Sequence, residues 1–221
     1  TGGMNNLERR LPWIIIALAA AAGIAGYVAS SRLFVADTGA VAQPRQLQAS
    51  LLYPQPKPLP DFTLQRSDGS VLVRKDWTGR WRLLFFGFAS CPDVCPTALA
   101  TAKAARAQLR TQRPDLDLAV SFVSVDPERD KPEQLGAYVG FFDPSFEAAT
   151  GAPAELLALT QSLGVMYVKV PNGPGPLDYT IDHSASLLII DPQGRLVGLI
   201  RPPHRVDAIV ADLITLMDEG N

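Results

Sequence analysis

A strand, a cysteine-bearing turn and a helix follow one another in the middle of the chain, and this arrangement constrains the fold more than any other feature. Leu83–Phe86 is an uninterrupted apolar run, which is typical of a strand buried on both faces of a sheet. The alanine-rich segment after Thr97 has a composition that favours a helix. The only two cysteines of the protein, Cys91 and Cys95, therefore lie where a central strand passes into a helix N-terminus.

The position of this cysteine pair predicts thiolate chemistry. Free backbone N–H groups and the positive end of the helix dipole stabilise thiolates at a helix N-terminus. A spacing of four residues places the two sulfurs about one helical turn apart, so they can close a disulfide or share a metal ion. A structural disulfide is the alternative, but a loop this short gains little stability from a cross-link. We therefore interpret the pair as functional.

The N-terminal part of the chain predicts a membrane anchor. Residues 11–31 contain no charged side chain, and at about 1.5 Å per residue a helix of this length just spans the hydrocarbon core of a bilayer. Arg9 and Arg10 precede this apolar segment. The positive-inside tendency keeps residues 1–10 in the cytoplasm and exports the rest of the chain. We expect a single-pass protein of a bacterial inner membrane with its soluble domain in the periplasm.

Two further features of the N-terminal region bear on this prediction. Residues 1–3 precede Met4 and look like a remnant of an expression vector. A cleaved signal peptide is the alternative to an anchor, because Ala40-Val41-Ala42 has the small-x-small form of a cleavage site. This triplet lies well beyond the apolar segment, which favours an uncleaved anchor. In either case we expect the cysteine pair outside the cytoplasm.

Length and composition predict one domain behind the anchor. The 221 residues suffice for a sizeable domain plus appendages, and the net charge of −2 gives no indication of nucleic-acid binding. Residues 32–60 become proline-rich towards their end, which is typical of a semi-rigid tether. Residues 61–221 then form the soluble domain.

The order of the predicted elements favours an α/β fold. A hairpin around the Asp68-Gly69 turn comes first, and strands and helices then alternate. An antiparallel pair of strands and a final helix end the chain. This order predicts a mixed central sheet flanked by helices, and a thioredoxin-like fold with an N-terminal hairpin is the simplest match. The strands expected after that hairpin are residues 83–86, 118–125, 146–150, 165–170, 186–190 and 196–200, and helices are expected to begin near Thr97, Pro132, Pro153 and Val206.

The chain has two histidines that could complete a site with the cysteines. His183 lies between a breaker-rich loop and the strand that begins near Ala185, and His204 lies in an exposed-looking loop before the last helix. A surface imidazole is the alternative for both, and we expect His204 to be one. In a thioredoxin-like layout, the loop before the terminal hairpin comes close to the start of the cysteine helix, so His183 would approach the pair. Spacing alone leaves open whether it does.

Two thiolates and one imidazole form a small, soft set of donors. Such a set favours Cu(I) and also suits Cu(II), whereas structural zinc usually takes four protein ligands. Because these ligands must lose their protons, metal binding should release protons and weaken in acid. Asp182, next to His183, either orients the imidazole or caps the turn, and the sequence leaves both interpretations open.

Three segments of the chain carry a family resemblance, namely GFASCPDVCP at 87–96, SVDPERD at 124–130 and YTIDHS at 179–184. In sequence, order and spacing they resemble the corresponding segments of the Sco/SenC family of copper-binding assembly factors for cytochrome c oxidase. Ala89-Ser90 departs from the family pattern, in which a threonine or a similar polar residue precedes the first cysteine. The resemblance implies a thioredoxin-like fold with Cys91, Cys95 and His183 as the copper ligands.

The resemblance also implies a function. A membrane-anchored copper chaperone would bind one copper ion, receive it from a copper donor protein and deliver it to the dinuclear copper (CuA) site in the copper-site subunit of cytochrome c oxidase. The alternative is a thiol–disulfide oxidoreductase in which Cys91 attacks and Cys95 resolves, so that the copper-ligand cysteines of the oxidase stay reduced. A peroxide-reducing thiol enzyme is a third hypothesis. The charged loop Asp126–Asp130 is either functional or a solvated, salt-bridged connection.

Overall fold

The computed structural model of the protein describes residues 18–27 and 47–219. The chain divides into two compact units, Thr1–Gln46 and Leu47–Asn221. In the first unit, residues 18–27 are helical and are called α1. The remainder of the predicted anchor, the predicted cytoplasmic residues and the triplet at 40–42 lie outside the described residues. Within the described ranges, no helix is both long enough and apolar enough to cross a bilayer.

The strands of the second unit are β1 (Ser50–Pro58), β2 (Thr63–Arg66), β3 (Val71–Val73), β4 (Trp81–Gly87), β5 (Leu118–Ser124), β6 (Glu147–Thr150), β7 (Tyr167–Pro171), β8 (Tyr179–His183), β9 (Leu187–Ile190) and β10 (Arg195–Ile200). Eight of them form one mixed sheet in the order β1-β10-β9-β4-β5-β6-β2-β3. The central strand β4 pairs parallel with β5 on one side and antiparallel with β9 on the other. A second sheet contains only β7 and β8.

The two central strands carry the core of this unit. Every residue of β4 and of β5 is buried, as expected for parallel strands covered on both faces. The helices are α2 (Val94–Gln112), α3 (Pro132–Phe142), α4 (Pro153–Ser162) and α5 (Val206–Glu219), and a short 3-10 helix spans Arg74–Trp77. The helices flank the sheet, and α2 packs against α5 while α3 packs against β6. The predicted mixed sheet flanked by helices is therefore confirmed, and the predicted N-terminal hairpin is β2–β3.

The end of the predicted tether forms a strand. Residues 50–58 are β1, which pairs antiparallel with β10 at the edge of the sheet. An edge strand needs hydrogen bonds on one side only, so it tolerates the prolines that suggested a tether. Gly198 in β10 permits the close approach of the β1 and β10 backbones, because a Cβ atom at this position would lie 2.5 Å from the carbonyl oxygen of Leu51. The buried carboxylate of Asp212 in α5 accepts the backbone N–H groups of residues 48, 49 and 50 and so fixes the start of β1.

Candidate metal centre

The cysteine pair lies at the carboxyl end of β4, the central strand. Residues 88–93 leave the strand, and α2 begins at Val94. Cys95 is therefore in the first turn of the helix, as the sequence predicts, whereas Cys91 lies in the preceding loop. Cys91 is 9% exposed, and Cys95 is completely buried. Both are free thiols, and the backbone N–H of Cys95 lies 3.4 Å from the Sγ of Cys91.

His183 reaches the cysteines from the β7–β8 hairpin (Tyr167–His183). The sequence predicts a loop at this position, but the structure places His183 at the end of β8, opposite Tyr167. Its Nε2 lies 3.3 Å from the Sγ of Cys95. One potential ligand atom from each of Cys91, Cys95 and His183 lies within 4.8 Å of the others. The chain therefore folds so that the three predicted residues meet.

The imidazole of His183 is held in one orientation. Its Nδ1 lies 3.2 Å from the backbone carbonyl oxygen of Ser184, so Nδ1 carries the proton as donor and Nε2 faces the thiol with its lone pair. The rings of Phe85 and Phe88 contact it edge-on, with centroids 5.8 Å and 6.0 Å away. Asp182 is exposed, and the partner of Nδ1 is a backbone carbonyl. The interpretation that Asp182 orients the ring is therefore wrong.

Burial sets the protonation states of two of these side chains. Burial lowers the pKa of His183, and the Ser184 carbonyl and the Asp182 charge oppose this effect only in part. The imidazole is therefore neutral at pH 7 and able to bind a metal. Burial raises the pKa of Cys95, although the backbone N–H of Phe88 favours the thiolate. The expectation that the helix N-terminus stabilises a thiolate is wrong for Cys95, because desolvation in this buried position is the larger effect.

Two residues that the sequence does not single out, Gly87 and Tyr138, lie near the site. Gly87 ends β4, and a Cβ atom there would lie 2.7 Å from the Sγ of Cys95 and 3.0 Å from the ring of Phe122. Only glycine leaves room for the sulfur at this point. Tyr138 in α3 packs its ring 5.5 Å from that of Phe122, and its hydroxyl is buried without a hydrogen-bond partner in the described part of the chain.

The second histidine does not join the group. Among the described residues, Cys91, Cys95 and His183 form the one cluster of three or more side chains with metal-ligating atoms. His204 lies in the loop between β10 and α5. It is half-buried, its Nε2 is buried without a partner in the described structure, and burial lowers its pKa. The expectation of an exposed surface imidazole at this position is therefore wrong.

Similarity to known proteins agrees with this geometry. The sequence profile of the SCO1/SenC family matches residues 53–218, which include the three clustered side chains and most of the chain. The chain belongs to the SCO1/SenC family. The predicted resemblance is thus confirmed, and the sheet flanked by helices is the fold of this SCO1/SenC protein.

Individual SCO1/SenC relatives match over most of this chain. A protein from Stutzerimonas stutzeri that is described as copper-binding is 33% identical over 168 residues, which cover 76% of this chain and 81% of the relative. Crystalline ScoI from Arabidopsis thaliana with copper bound is 32% identical, with a TM-score of 0.67 over 72% of this chain and 98% of that chain. Apo Sco1 from Thermus thermophilus in solution is 38% identical, with a TM-score of 0.68 over 78% and 99%. Two mitochondrial relatives are longer, and the chain spans 45% and 52% of their length.

Proposed function

We propose that this protein is a copper chaperone of cytochrome c oxidase assembly, which binds one copper ion through Cys91, Cys95 and His183. The observation that carries the proposal is the meeting of two thiols and one neutral imidazole within 4.8 Å. The SCO1/SenC family consists of copper-binding proteins for oxidase assembly, which supports the same function.

The donor atoms favour copper over the other common metals. Two sulfurs and one nitrogen are soft donors that suit Cu(I) and Cu(II), whereas structural zinc usually takes four protein ligands. Copper in the Arabidopsis ScoI crystal structure and the copper-binding description of the Stutzerimonas protein support this assignment. The neutral state of His183 at pH 7 also fits, because a metal competes with a proton for its Nε2.

A site with three ligands suits transfer of copper to a partner. An incoming thiolate can bind the copper before a ligand of the chaperone leaves, so the ion never has to enter solution. Cys91 is the more accessible of the two thiols, and residues 92–94 beside it are exposed. Exchange therefore begins at Cys91, and Cys95 and His183 hold the ion until the partner's ligands have replaced them.

The place of this function in the cell is part of the proposal. The apolar residues 11–31 anchor the protein in a bacterial inner membrane, and the domain works in the periplasm. A copper donor protein loads the site. The copper then passes to the CuA site of the oxidase subunit, whose ligands include thiolates that can attack in the way described.

Thiol–disulfide exchange is the second candidate function, and the two free cysteines beside each other favour it. The Cys91 thiolate would attack a disulfide of the oxidase subunit and form a mixed disulfide, releasing one subunit thiolate. Cys95, after losing its proton to solvent, would attack the sulfur of Cys91, which releases the second subunit thiolate and leaves Cys91 and Cys95 joined. The two electrons that reduce the subunit come from the cysteine pair. This function does not require His183.

Copper titration of the reduced full-length chain in detergent tests the proposed function. X-ray absorption of the loaded protein should report one copper with two sulfur neighbours and one nitrogen neighbour. A copper ion with sulfur neighbours alone would contradict the assignment of His183. Failure to bind copper at micromolar concentration, combined with rapid disulfide exchange, would favour the oxidoreductase instead.

A further inference from the structure

The loop after β5, residues 126–130, contacts the cysteine side of the candidate site. Asp130 is 4% exposed. Its Oδ2 accepts the backbone N–H of Ala89 at 2.8 Å and the hydroxyl of Ser124 at 2.6 Å. Ala89 lies two residues before Cys91, so Asp130 fixes the segment that carries this thiol. The interpretation of this loop as a solvated connection is wrong for Asp126 and Asp130, which are both buried.

The same loop also holds the hairpin that carries His183. The β7–β8 hairpin forms its own two-stranded sheet, and neither of its strands pairs with a strand of the larger sheet. Within residues 47–219, two sets of hydrogen bonds and ion pairs join this hairpin to the rest of the unit. One set is made by His183 itself. All the others come from residues 126–130. The hairpin's position therefore depends on these five residues and on apolar packing.

Tyr179, at the start of β8, receives most of these contacts. Its hydroxyl donates to Oδ1 of Asp126 at 2.6 Å and lies 3.1 Å from Oε2 of Glu128. The Nη1 of Arg129 donates to the Tyr179 carbonyl oxygen at 2.6 Å. A salt bridge of 2.7 Å joins Lys169 of β7 to Glu128. Both strands of the hairpin are thus bound to the 126–130 loop.

Arg129 occupies the centre of this arrangement. It forms an ion pair with Asp126, whose side chain is completely buried. Its guanidinium lies 3.9 Å from the ring centroid of Tyr179 and 5.6 Å from that of Phe88, within the range of cation–π attraction. Phe88 in turn contacts the imidazole of His183 edge-on. Arg129 therefore links Tyr179, the first residue of β8, to Phe88, whose ring contacts the imidazole of His183.

We propose that Arg129, anchored by Asp126, is a positioning residue that holds the β7–β8 hairpin, and His183 with it, against the cysteine pair. Without Arg129 the hairpin moves away, while Asp130 keeps the cysteine segment in place. The imidazole is then lost from the site and the two thiols remain. The consequence for copper binding rests on the proposed function, whereas the position of the imidazole can be measured without metal.

The first test uses the reduced, metal-free full-length chain in detergent. In the wild type, nuclear Overhauser effects should connect the ring protons of His183 and Phe88. The substitution Arg129→Met should abolish them. Arg195→Met is the matched control, because Arg195 also pairs with a buried carboxylate, Asp191 at 2.6 Å, but in the turn between β9 and β10. This control should retain the cross-peaks. Tyr179→Phe removes only a hydroxyl and should weaken them, which provides a second measurement if Arg129→Met folds poorly.

The second test adds Cu(II) to the same proteins. Arg129→Met should lower the copper affinity by about 10- to 100-fold, as is typical when a residue that orients a metal ligand is removed. Nitrogen hyperfine coupling should disappear from its electron paramagnetic resonance spectrum, whereas the sulfur-to-copper absorption band should remain. Arg129→Lys, which keeps the charge but not the planar fork of donors, should restore part of the affinity.

Two outcomes would overturn the proposal, and a third would overturn only the proposed copper ligation. Arg129→Met could keep the cross-peaks of His183 with Phe88 and the nitrogen coupling, which would show that Arg129 does not position the imidazole. Equal losses in Arg129→Met and Arg195→Met would show a general loss of stability instead. If the wild type shows the cross-peaks but binds copper without nitrogen coupling, the positioning role stands and the proposed copper ligation by His183 fails.

Discussion

The Nε2 of His183 lies 3.3 Å from the Sγ of Cys95, although the two residues are 88 positions apart along the chain. The contact joins a helix N-terminus at the end of the central strand to a hairpin outside the main sheet. Cys95 is buried and His183 is half-buried. Both are uncharged at pH 7, because burial raises the pKa of Cys95 and lowers that of His183. A soft metal ion can therefore enter by displacing the thiol proton, without first displacing a proton from the imidazole.

Replacing His183 should separate the two candidate functions. His183→Ala removes a proposed copper ligand, so we expect copper affinity to fall by more than about 100-fold, since the loss of a residue that merely orients a ligand costs about 10- to 100-fold. Thiol–disulfide exchange should continue at a rate close to that of the wild type, because it needs only the two sulfurs. Competition with a copper chelator and reduction of a model disulfide measure the two quantities. His204→Ala is the control and should leave copper affinity unchanged, since His204 lies outside the cluster. Unchanged copper affinity in His183→Ala would show that His183 is not a copper ligand.

Copper binding should release protons. Because burial raises the pKa of Cys95, this thiol is protonated at pH 7 and must lose its proton to bind copper. Higher pH favours the deprotonated ligand, so copper affinity should rise with pH, by about tenfold per pH unit for each proton released. Calorimetric titrations in two buffers with different ionisation enthalpies measure the number of protons. Equal heats in both buffers would contradict the protonated state of Cys95.

Local patterns in the sequence suffice to predict the sheet and the cysteine pair. The apolar run of β4 and the alanine-rich composition of α2 each act over a few neighbouring residues, so the strand, the turn and the helix can be identified without knowledge of the rest of the chain. The Asp68-Gly69 turn identifies the β2–β3 hairpin in the same way, and Gly69 has the positive φ of 84° that this turn requires.

Contacts between distant segments explain what the sequence does not predict. Every second residue of β8, namely Tyr179, Ile181 and His183, lies on one face of the strand. The sequence does not predict this strand, because the segment is short and follows a loop rich in proline and glycine. The edge strand β1 depends on a neighbour, Gly198, that is far along the chain. The protonation of Cys95 depends on how deeply the fold buries it. None of these properties is encoded in a short window of residues.

Adding one methyl group at Gly87 should disturb the candidate site. In Gly87→Ala the new Cβ would lie 2.7 Å from the Sγ of Cys95, so the sulfur or the strand must shift. We expect a loss of about 1–3 kcal/mol in the free energy of unfolding, as is usual for overpacking, together with weaker copper binding. Gly140→Ala is the control, because a Cβ atom in this position of α3 meets nothing within 4 Å. It should be neutral or stabilise the protein by up to about 1 kcal/mol. Urea unfolding and copper titration measure both effects, and equal stability of the two variants would contradict the predicted clash.

The network around Glu147 at the start of β6 should make the stability of the domain depend on pH. Glu147 accepts hydrogen bonds from Arg66, Arg82, Ser121 and Trp77. Burial by itself would raise its pKa, but the charge of Arg82 and these hydrogen bonds hold the pKa below the ordinary value of 4.5. Burial lowers the pKa of Arg82 to about 10, so its guanidinium stays charged at pH 7.

Glu147→Gln tests this network. The substitution leaves the buried Arg82 without a counter-charge, and we expect the free energy of unfolding at pH 7 to fall by about 3–5 kcal/mol. Because the folded-state pKa of Glu147 is depressed, its contribution is complete above pH 4.5 and is lost as the pH falls through the folded-state pKa. The difference between wild type and Glu147→Gln should therefore shrink in acid. Glu155→Gln, at an exposed carboxylate, should show no such difference at any pH. Urea unfolding between pH 3 and pH 7 measures these values, and a difference that grows towards acid would contradict the depressed pKa of Glu147.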